Sequence, residues 1–507
     1  MKPRVLVFIV AYHAERTIDS VVRRIPSNLA GQYEIDILII DDASQDKTFE
    51  RSHYISKSPD LPFAVHALFN PVNQGYGGNQ KLGYHYAIEH QYDFVALLHG
   101  DGQYAPEFLG ELLEPLRTGK ASAVFGSRML DPGAARRGGM PLYKFVGNRI
   151  LTWIENKLLH AQLSEFHSGY RVYSVEALKT IPFERNSNRF HFDTEIIIQL
   201  LIARQPIVEL PIPTYYGEEI CHVNGLQYAG NVLIAALKAR LQELSLFYDR
   251  RFDCAPGSAV AHYLPKLTYP SPHSFAFSQV RKNAKVLDLG CAGGYMASVL
   301  KREKECVVTG VDTVPEADTD MDAFYVHDLN AGMPKIAAGD YDYILLLDVI
   351  EHLSQPESFL EELKASLAGS SSTEVIISTG NVGYVVVRLM LLLGQFNYGK
   401  RGILDLTHTR LFTFASLRRA VAQAGFTILE TKGVPAPFPL ALGEGPAASC
   451  LLRINTCLIG VSRGLFSYQM FYRIKPQPSL KSLLDDAHES SRLRAESLRE
   501  RPNAEHA

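Results

Sequence analysis

The acidic pair Asp41 and Asp42, closing the apolar run LIIDD, is the first place where side-chain chemistry and position coincide. Carboxylates just past the C-terminal end of a strand lie where open α/β sheets bind ligands, and they can accept hydrogen bonds from a base or a ribose. An acidic strand end is equally ordinary turn and capping chemistry. A second strand-like run, FVALLH, leads directly into Asp101, with His99 and Gln103 on either side. Alternate residues of an extended segment point the same way, so these three side chains are expected to share one face. A hard divalent cation bridging diphosphate oxygens needs only one or two carboxylates besides water. Asp101 is the expected ligand, with His99 and Gln103 beside it. Between the two runs, NQGYGGNQKLG supplies glycines, Gly75 among them, that permit close backbone approach ahead of a helix.

A different set lies further along. VLDLGCAGGYMA, from Val286 to Ala297, reads as a strand, a Gly-rich turn and a helix start, and Asp288, Gly290, Ala292 and Gly294 shape the turn. Alone, such a turn serves a dinucleotide as readily as any other adenosine cofactor. Three further acids decide the matter. Asp312 closes the next strand in TGVD, where an acid can take both ribose hydroxyls, and Asp328, followed by Leu329, ends a third strand where an adenine amino group would lie. Asp348 ends the fourth, DYILLLD, and with Glu351 and His352 makes a D-x-x-E-H cluster; His408 follows in DLTHTRLF. That cluster with a later histidine can hold a divalent ion. The plainer reading is metal-free, with His352 or His408 as general base for a hydroxyl acceptor.

Two series of alternating elements must position these side chains. VLVFIV (5–10), EIDILIIDD (34–42), FVALLHGDG (94–102), AVFGSR (123–128) and IVELPI (207–212) are strand-like and separated by amphipathic runs, which predicts a largely parallel α/β sheet. Residues 226–248 place apolar side chains at helical spacing, as a closing helix or a membrane-surface contact. From about residue 249 the pattern breaks at RRFDCAPGS and three prolines, then restarts at KVLDLG (285–290). The expectation is a two-domain α/β chain: residues 1–250, a linker over 251–280, a second Rossmann-like domain over 281–475 with an apolar extension, and a polar tail over 476–507.

Composition narrows the classes. With 51 basic and 54 acidic residues among 507, and a formal net charge of -3, the chain lacks the basic excess of an electrostatic nucleic-acid binder. An apolar content of 46% excludes wholesale disorder. The six cysteines form no CxxC pair, which argues against a zinc ribbon and favours a reducing compartment. The apolar runs Val382–Phe396 and Ile454–Tyr472 carry Arg388 and Arg463, and no spanning helix is expected.

Taken together and in order, Tyr12 in IVAYHAE, Asp41 and Asp42 in IIDDASQDKT, the Asn73–Gly83 glycine segment, HGDGQ, Arg128 in FGSR and HSGYRVY resemble the inverting family 2 glycosyltransferases of GT-A fold. Dolichyl- and polyprenyl-phosphate mannose synthases are the nearest type. The resemblance implies that Tyr12, Asp41, Asp42 and Gly75 hold a GDP- or UDP-sugar, that His99, Asp101 and Gln103 hold Mg or Mn, and that Arg128 neutralises phosphate. A phosphate acceptor would need no general base; for a hydroxyl, Glu195 in FHFDTEI is the candidate. His99 stands where the family carries an acid. The basic residues that the synthases carry after the PI–V segment are missing from PIPTYYGEEICHVNG, where His222 is either a stand-in or, on the plainer reading, structural.

Residues 280–435 resemble class I methyltransferases, with Ala292 at a usual glycine position. This implies S-adenosylmethionine held by Asp288, Gly290, Ala292, Gly294, Asp312, Asp328, Leu329 and Asp348. The expected protein is a bifunctional transferase acting on a glycan or lipid-phosphate acceptor and methylating a related acceptor at oxygen, cytoplasmic or peripheral at the inner membrane face. Two other readings stay open: a methyltransferase with a degenerate sugar-nucleotide sensor, and a membrane-surface scaffold. The apolar runs at 382–405 and 454–472 are buried packing, or else a lid or interfacial patch.

Overall fold

The computed structural model describes residues 2–213, 224–243, 247–254, 267–313, 320–367, 372–478, and residues 483, 484, 487, 488 and 490–492. His222, most of the segment around it, part of the expected linker and most of the polar tail lie outside the described residues. The chain divides into two compact units, Met1–Ala259 and Val260–Ala507, each built on its own sheet.

The first sheet has seven strands: β1 (Arg4–Ala11), β2 (Glu34–Asp41), β3 (Ala64–Phe69), β4 (Phe94–His99), β5 (Ala123–Ser127), β6 (Arg171–Ser174) and β7 (Ile207–Pro211). Their order is β3-β2-β1-β4-β6-β5-β7, parallel except for β6, which runs antiparallel to both β4 and β5. β1 is apolar on both faces. Val5, Val7 and Ile9 enter one core, while Leu6 and Phe8 enter the other. This two-sided burial marks a central strand covered by helices on both sides. The helices of this unit include α1 (Tyr76–Glu89), α2 (Leu142–Leu159), α3 (Phe192–Ile202) and α4 (Gly225–Glu243).

The second sheet also has seven strands: β8 (Lys285–Leu289), β9 (Val307–Asp312), β10 (Ala323–Val326), β11 (Tyr343–Leu347), β12 (Glu374–Gly380), β13 (Phe426–Val434) and β14 (Gln469–Pro476). The order is β10-β9-β8-β11-β12-β14-β13, with β14 antiparallel to both of its neighbours. Here too alternate residues part between two cores, Leu287 and Leu289 to one and Val286 to the other. The helices used below are α5 (Tyr295–Lys304), α6 (Val385–Leu392), α7 (Phe438–Leu442) and α8 (Pro446–Val461). The fold is two α/β domains, as the alternating elements predict. Both sheets are mixed rather than purely parallel, because β6 in the first and β14 in the second run against the parallel set.

Candidate active sites

In the first unit, β1, β2 and β3 step outward in one direction and β4 then pairs with the opposite side of β1. The switch point is therefore the gap between β1 and β4 at their carboxyl ends, where such sheets open a crevice. The register puts Asp41 opposite Ala11 and His99 opposite Val10. Tyr12, Asp41, Asp42 and Asp101 thus all follow strands that end beside that gap.

Their individual settings differ. Tyr12 is 49% exposed and its ring leans on His13 at 4.2 Å. Asp42 is buried and already engaged: Asn70 Nδ2 and the Gln74 N–H donate to its Oδ1 at 2.8 Å, and the Gly75 N–H donates to Oδ2 at 2.9 Å. It ties the glycine segment to the strand end. Gly75 has φ 78°, and a Cβ there would lie 2.6 Å from the Asn188 carbonyl oxygen, so only glycine fits. Asp41 takes the Ser44 N–H and hydroxyl on Oδ1, while Oδ2 is enclosed without a protein donor. Burial pushes its pKa up, against the two Ser44 bonds. Of the pair, Asp41 is the carboxylate with one oxygen, Oδ2, left without a donor.

The expected His99–Asp101–Gln103 face is not formed. β4 ends at His99, so strand alternation stops there and residues 100–103 turn away. His99 points inward between Tyr76 and Tyr104, its Nε2 3.0 Å from the Tyr76 hydroxyl. That hydroxyl donates to Asp193 at 2.9 Å, and Gln80 donates to the other Asp193 oxygen. Burial draws the His99 pKa down. Asp101 is exposed and accepts the Gln103 N–H at 3.0 Å. No group of three or more His, Cys, Asp or Glu able to hold a metal exists among the described residues. The residues present fit a divalent ion held by one carboxylate, Asp101, together with substrate oxygens. His99 does not fit as a ligand through Nε2.

Two further expectations change in detail. Arg128 donates to the fully buried Glu165 and, at 3.0 Å, to the His167 carbonyl. Burial opposes ionisation of Glu165, but the Arg128 charge outweighs it and holds the carboxyl below its ordinary value. Glu195 on α3 is also fully buried, ion-paired with Arg251 and accepting the Ser187 N–H at 2.6 Å. The acid that reaches toward His99 is instead Asp193, two residues earlier. Beneath it Arg171, 1% exposed, donates to the carbonyls of Phe166, Ser168 and Asp193. Sequence reasoning missed Tyr76 and Asp193, although both lie inside the motifs that drew attention.

In the second unit the switch point falls between β8 and β11, since β9 and β10 extend one way and β11 pairs on the other side of β8. Gly290 leaves β8 with φ 76°, and a Cβ there would meet Val349 at 2.5 Å. The Ala292 N–H donates to Asp312 Oδ2 at 2.8 Å and Thr313 N–H to Oδ1 at 2.7 Å, which fixes that carboxylate at the turn. Gly294 precedes α5, whose N-terminus faces the same turn. Asp288 is buried, and burial first, then Asp312, pushes its pKa up to about 7. Asp328 is exposed and caps a short turn through the Asn330 N–H, beside buried Leu329. A glycine turn, a helix N-terminus and acids on successive strand ends fit S-adenosylmethionine.

Asp348 is held between Ser378, donating at 2.7 Å, and Gln469, donating at 2.8 Å. Glu351 is buried, and burial and then Asp348 push its pKa up. His352 and His408, by contrast, come together, with ring centroids 4.8 Å apart.

The model described as "Glycosyl transferase family 2" matches residues 6–181, and that described as "Methyltransferase domain" matches residues 260–431. Over 223 residues the chain is 29% identical to UDP-N-acetylglucosamine–dolichyl-phosphate N-acetylglucosaminyltransferase of Methanococcus voltae, covering 42% of this chain and 86% of that one. Over 192 residues it is 29% identical to undecaprenyl-phosphate mannosyltransferase of Micrococcus luteus, covering 37% and 74%. Among solved structures, glucosyl-3-phosphoglycerate synthase from Mycobacterium tuberculosis aligns at 18% identity and a TM-score of 0.35, over 47% of this chain and 80% of that one.

Proposed function

We propose, from the premise that one chain carries a family 2 glycosyltransferase domain and a methyltransferase domain, that the protein is a bifunctional enzyme. The first unit transfers a sugar, with inversion, from a GDP- or UDP-sugar to a lipid-phosphate or glycan acceptor. The second methylates a related acceptor at oxygen. One observation carries the reading: each unit gathers strand-end acids at its own switch point, Asp41 and Asp101 in the first and Asp288 and Asp312 in the second. The similar proteins of Methanococcus voltae and Micrococcus luteus, named for dolichyl and undecaprenyl phosphate, support a lipid-phosphate acceptor.

In the first unit, Asp41 would accept a donor hydrogen from the base or ribose, and Tyr12 would cover the base. Asp101 would hold Mg or Mn, which supplies positive charge beside the departing diphosphate. Arg128 adds a cation whose charge Glu165 already balances in part. A phosphate acceptor is its own nucleophile, so enclosure of Glu195 is no obstacle. In the second unit, S-adenosylmethionine supplies an electrophilic methyl group when bound. Asp312 would hold its ribose, Asp328 and Leu329 would flank the adenine, and His352 or His408 would take the acceptor proton.

The test is to incubate the full chain with GDP- and UDP-sugars, Mn and a polyprenyl phosphate, then with S-adenosylmethionine, and to analyse lipid products by mass spectrometry. A glycolipid, followed by its methylated form, is expected. The second reading, a sugar-nucleotide sensor fused to an active methyltransferase, draws on His99 and Glu195 being already partnered. Nucleoside diphosphate binding without turnover of any donor would favour it.

A further inference from the structure

We propose that the second unit docks on an anionic phospholipid surface through α6, α7 and α8, and that its methyl acceptor is carried on a lipid chain. The second clause rests on the methyltransferase reading above; the first does not.

The segment after β12 is apolar beyond what packing uses. Val387 is buried, and Val385 and Val386 join a cluster with Tyr384, Ile403 and Leu404. The other side of α6 has no such cover: Leu392 is 81% exposed, Leu393 just after it 77%, and Leu389 and Leu391 are also exposed. Phe438 of α7 belongs to the same cluster, so α7 continues the surface and presents Leu440 and Leu442 outward. On α8, Leu451, Ile454, Leu458 and Val461 recur at helical spacing on one exposed stripe. Contiguous exposed aliphatic surface of this kind marks an interaction face.

Charge identifies the occupant. Residues 382–404 contain Arg388, Lys400 and Arg401 and no acid; residues 445–468, which include α8, contain Arg453 and Arg463 and no acid. In a chain whose net charge is -3, two acid-free cationic stretches coincide with the apolar surface. Aliphatic side chains flanked by cations match an acyl boundary beneath anionic headgroups. Phe396 is the one aromatic among the exposed large apolar side chains of this face, fewer than a protein-binding face built on aromatic anchors would present. No helix among the described residues is long and apolar enough to cross a membrane, so these short helices would lie in the interface. The same segment runs on to His408 beside His352, which brings a bilayer-borne acceptor to the base.

Two native thiols report on this face. Cys450 and Cys457 on α8 are exposed, whereas Cys254, Cys291 and Cys306 are buried. The full chain would be mixed with vesicles of phosphatidylcholine alone or with added phosphatidylglycerol, and alkylation followed peptide by peptide. Phosphatidylglycerol vesicles should slow alkylation of Cys450 and Cys457 about tenfold, and high salt should reverse this. A Leu392→Glu, Leu393→Glu, Val461→Glu variant should partition about tenfold less, with unchanged circular dichroism and unchanged S-adenosylmethionine affinity. Equal partition of variant and parent, or full thiol reactivity on vesicle-bound chain, would overturn the docking. Protection that rises with chain concentration without vesicles would replace it with self-association. Thiol protection without S-adenosylmethionine binding would remove the methyltransferase reading and leave the docking face. Methyl label found only in water-soluble product would overturn the lipid-borne acceptor.

Discussion

His352 and His408 meet edge to face, centroids 4.8 Å apart, although one follows β11 and the other lies beyond β12. Each ring has Nδ1 against a backbone carbonyl, Thr407 at 3.3 Å for His352 and Ile403 at 2.9 Å for His408. In a neutral ring that donates from Nδ1, the lone pair belongs to Nε2, which is the arrangement a general base requires. Burial draws the His408 pKa below 6.5; the Ile403 bond opposes this and His352 reinforces it.

His408→Ala should therefore reduce methyl transfer about 10²-fold or more, while S-adenosylmethionine affinity changes less than about twofold. Because the neutral ring persists below pH 6.5, the parent rate should hold through that value and fall only in more acid solution. The pH–rate profile measures this directly. A rate already halved at pH 6.5 would assign the base elsewhere.

The two units should fail independently. Asp101→Ala should abolish sugar transfer and leave S-adenosylmethionine binding intact. Gly290→Arg should do the reverse, since that position has φ 76° and Val349 stands where a side chain would go. Calorimetry and donor turnover on both variants give the crossed result. Loss of both activities in either variant would count against separate sites.

Gly75→Ala should weaken nucleotide-sugar binding and cost about 1–3 kcal/mol for the backbone alone, since φ 78° with ψ 165° is a conformation essentially reserved to glycine. The collision with the Asn188 carbonyl adds to it, and the shift would pull the Gly75 N–H off Asp42. Thermal unfolding and donor affinity both report it. Unchanged affinity would remove the glycine segment from the donor site.

Ala292→Gly should act in the opposite direction. Ala292 sits at φ 44°, a conformation that disfavours a side chain. Relief of that strain should raise stability by about 0.5–1 kcal/mol, seen as a higher denaturant midpoint for the second unit. The Ala292 N–H to Asp312 bond remains available, so cofactor affinity should not fall.

Stability of the second unit should decline as pH rises. Asp288 is an acid whose folded pKa, about 7, lies above its ordinary 3.8. The folded state holds the proton that the unfolded state has released, so the stabilisation is complete below pH 3.8 and lost through about pH 7. The full span is up to roughly 4 kcal/mol. Asp288→Asn should flatten the dependence, and unfolding curves at pH 5 and pH 8 are the check.

Strand-end chemistry was readable because short apolar runs led into acids: β2, β4, β9, β10 and β11 fall where that pattern placed them, and β1 and β8 where their apolar runs did. What local pattern does not carry is what comes from elsewhere in the chain. Alternation suggested a shared face for His99 and Asp101, but the strand stops at His99 and the distant Asp193, through Tyr76, captures it. Glu195 was named from its own motif, whereas Arg251, which encloses it, and Tyr76 and Gln80, which engage Asp193 instead, come from other parts of the chain. β3 was missed because its side chains are largely exposed, and β6 because it is four residues long. In the 454–472 run a helical stripe gives way to β14 without a composition change, so one segment read as uniform holds two structures.

β14 also carries a consequence for how the polypeptide is made. It is drawn from residues 469–476, yet it lies between β12 and β13, and β13 pairs with no other strand. During translation the first unit can close while the ribosome is still working on the second. The apolar flank of β12 then waits, unpaired, until Gln469 and its successors emerge. An open sheet edge of that kind invites pairing with other nascent chains. A premature stop between Val434 and Gln469 would therefore leave an intact sugar-transfer domain joined to an adhesive, half-closed partner, and chaperone demand in the cell should rise with such truncations.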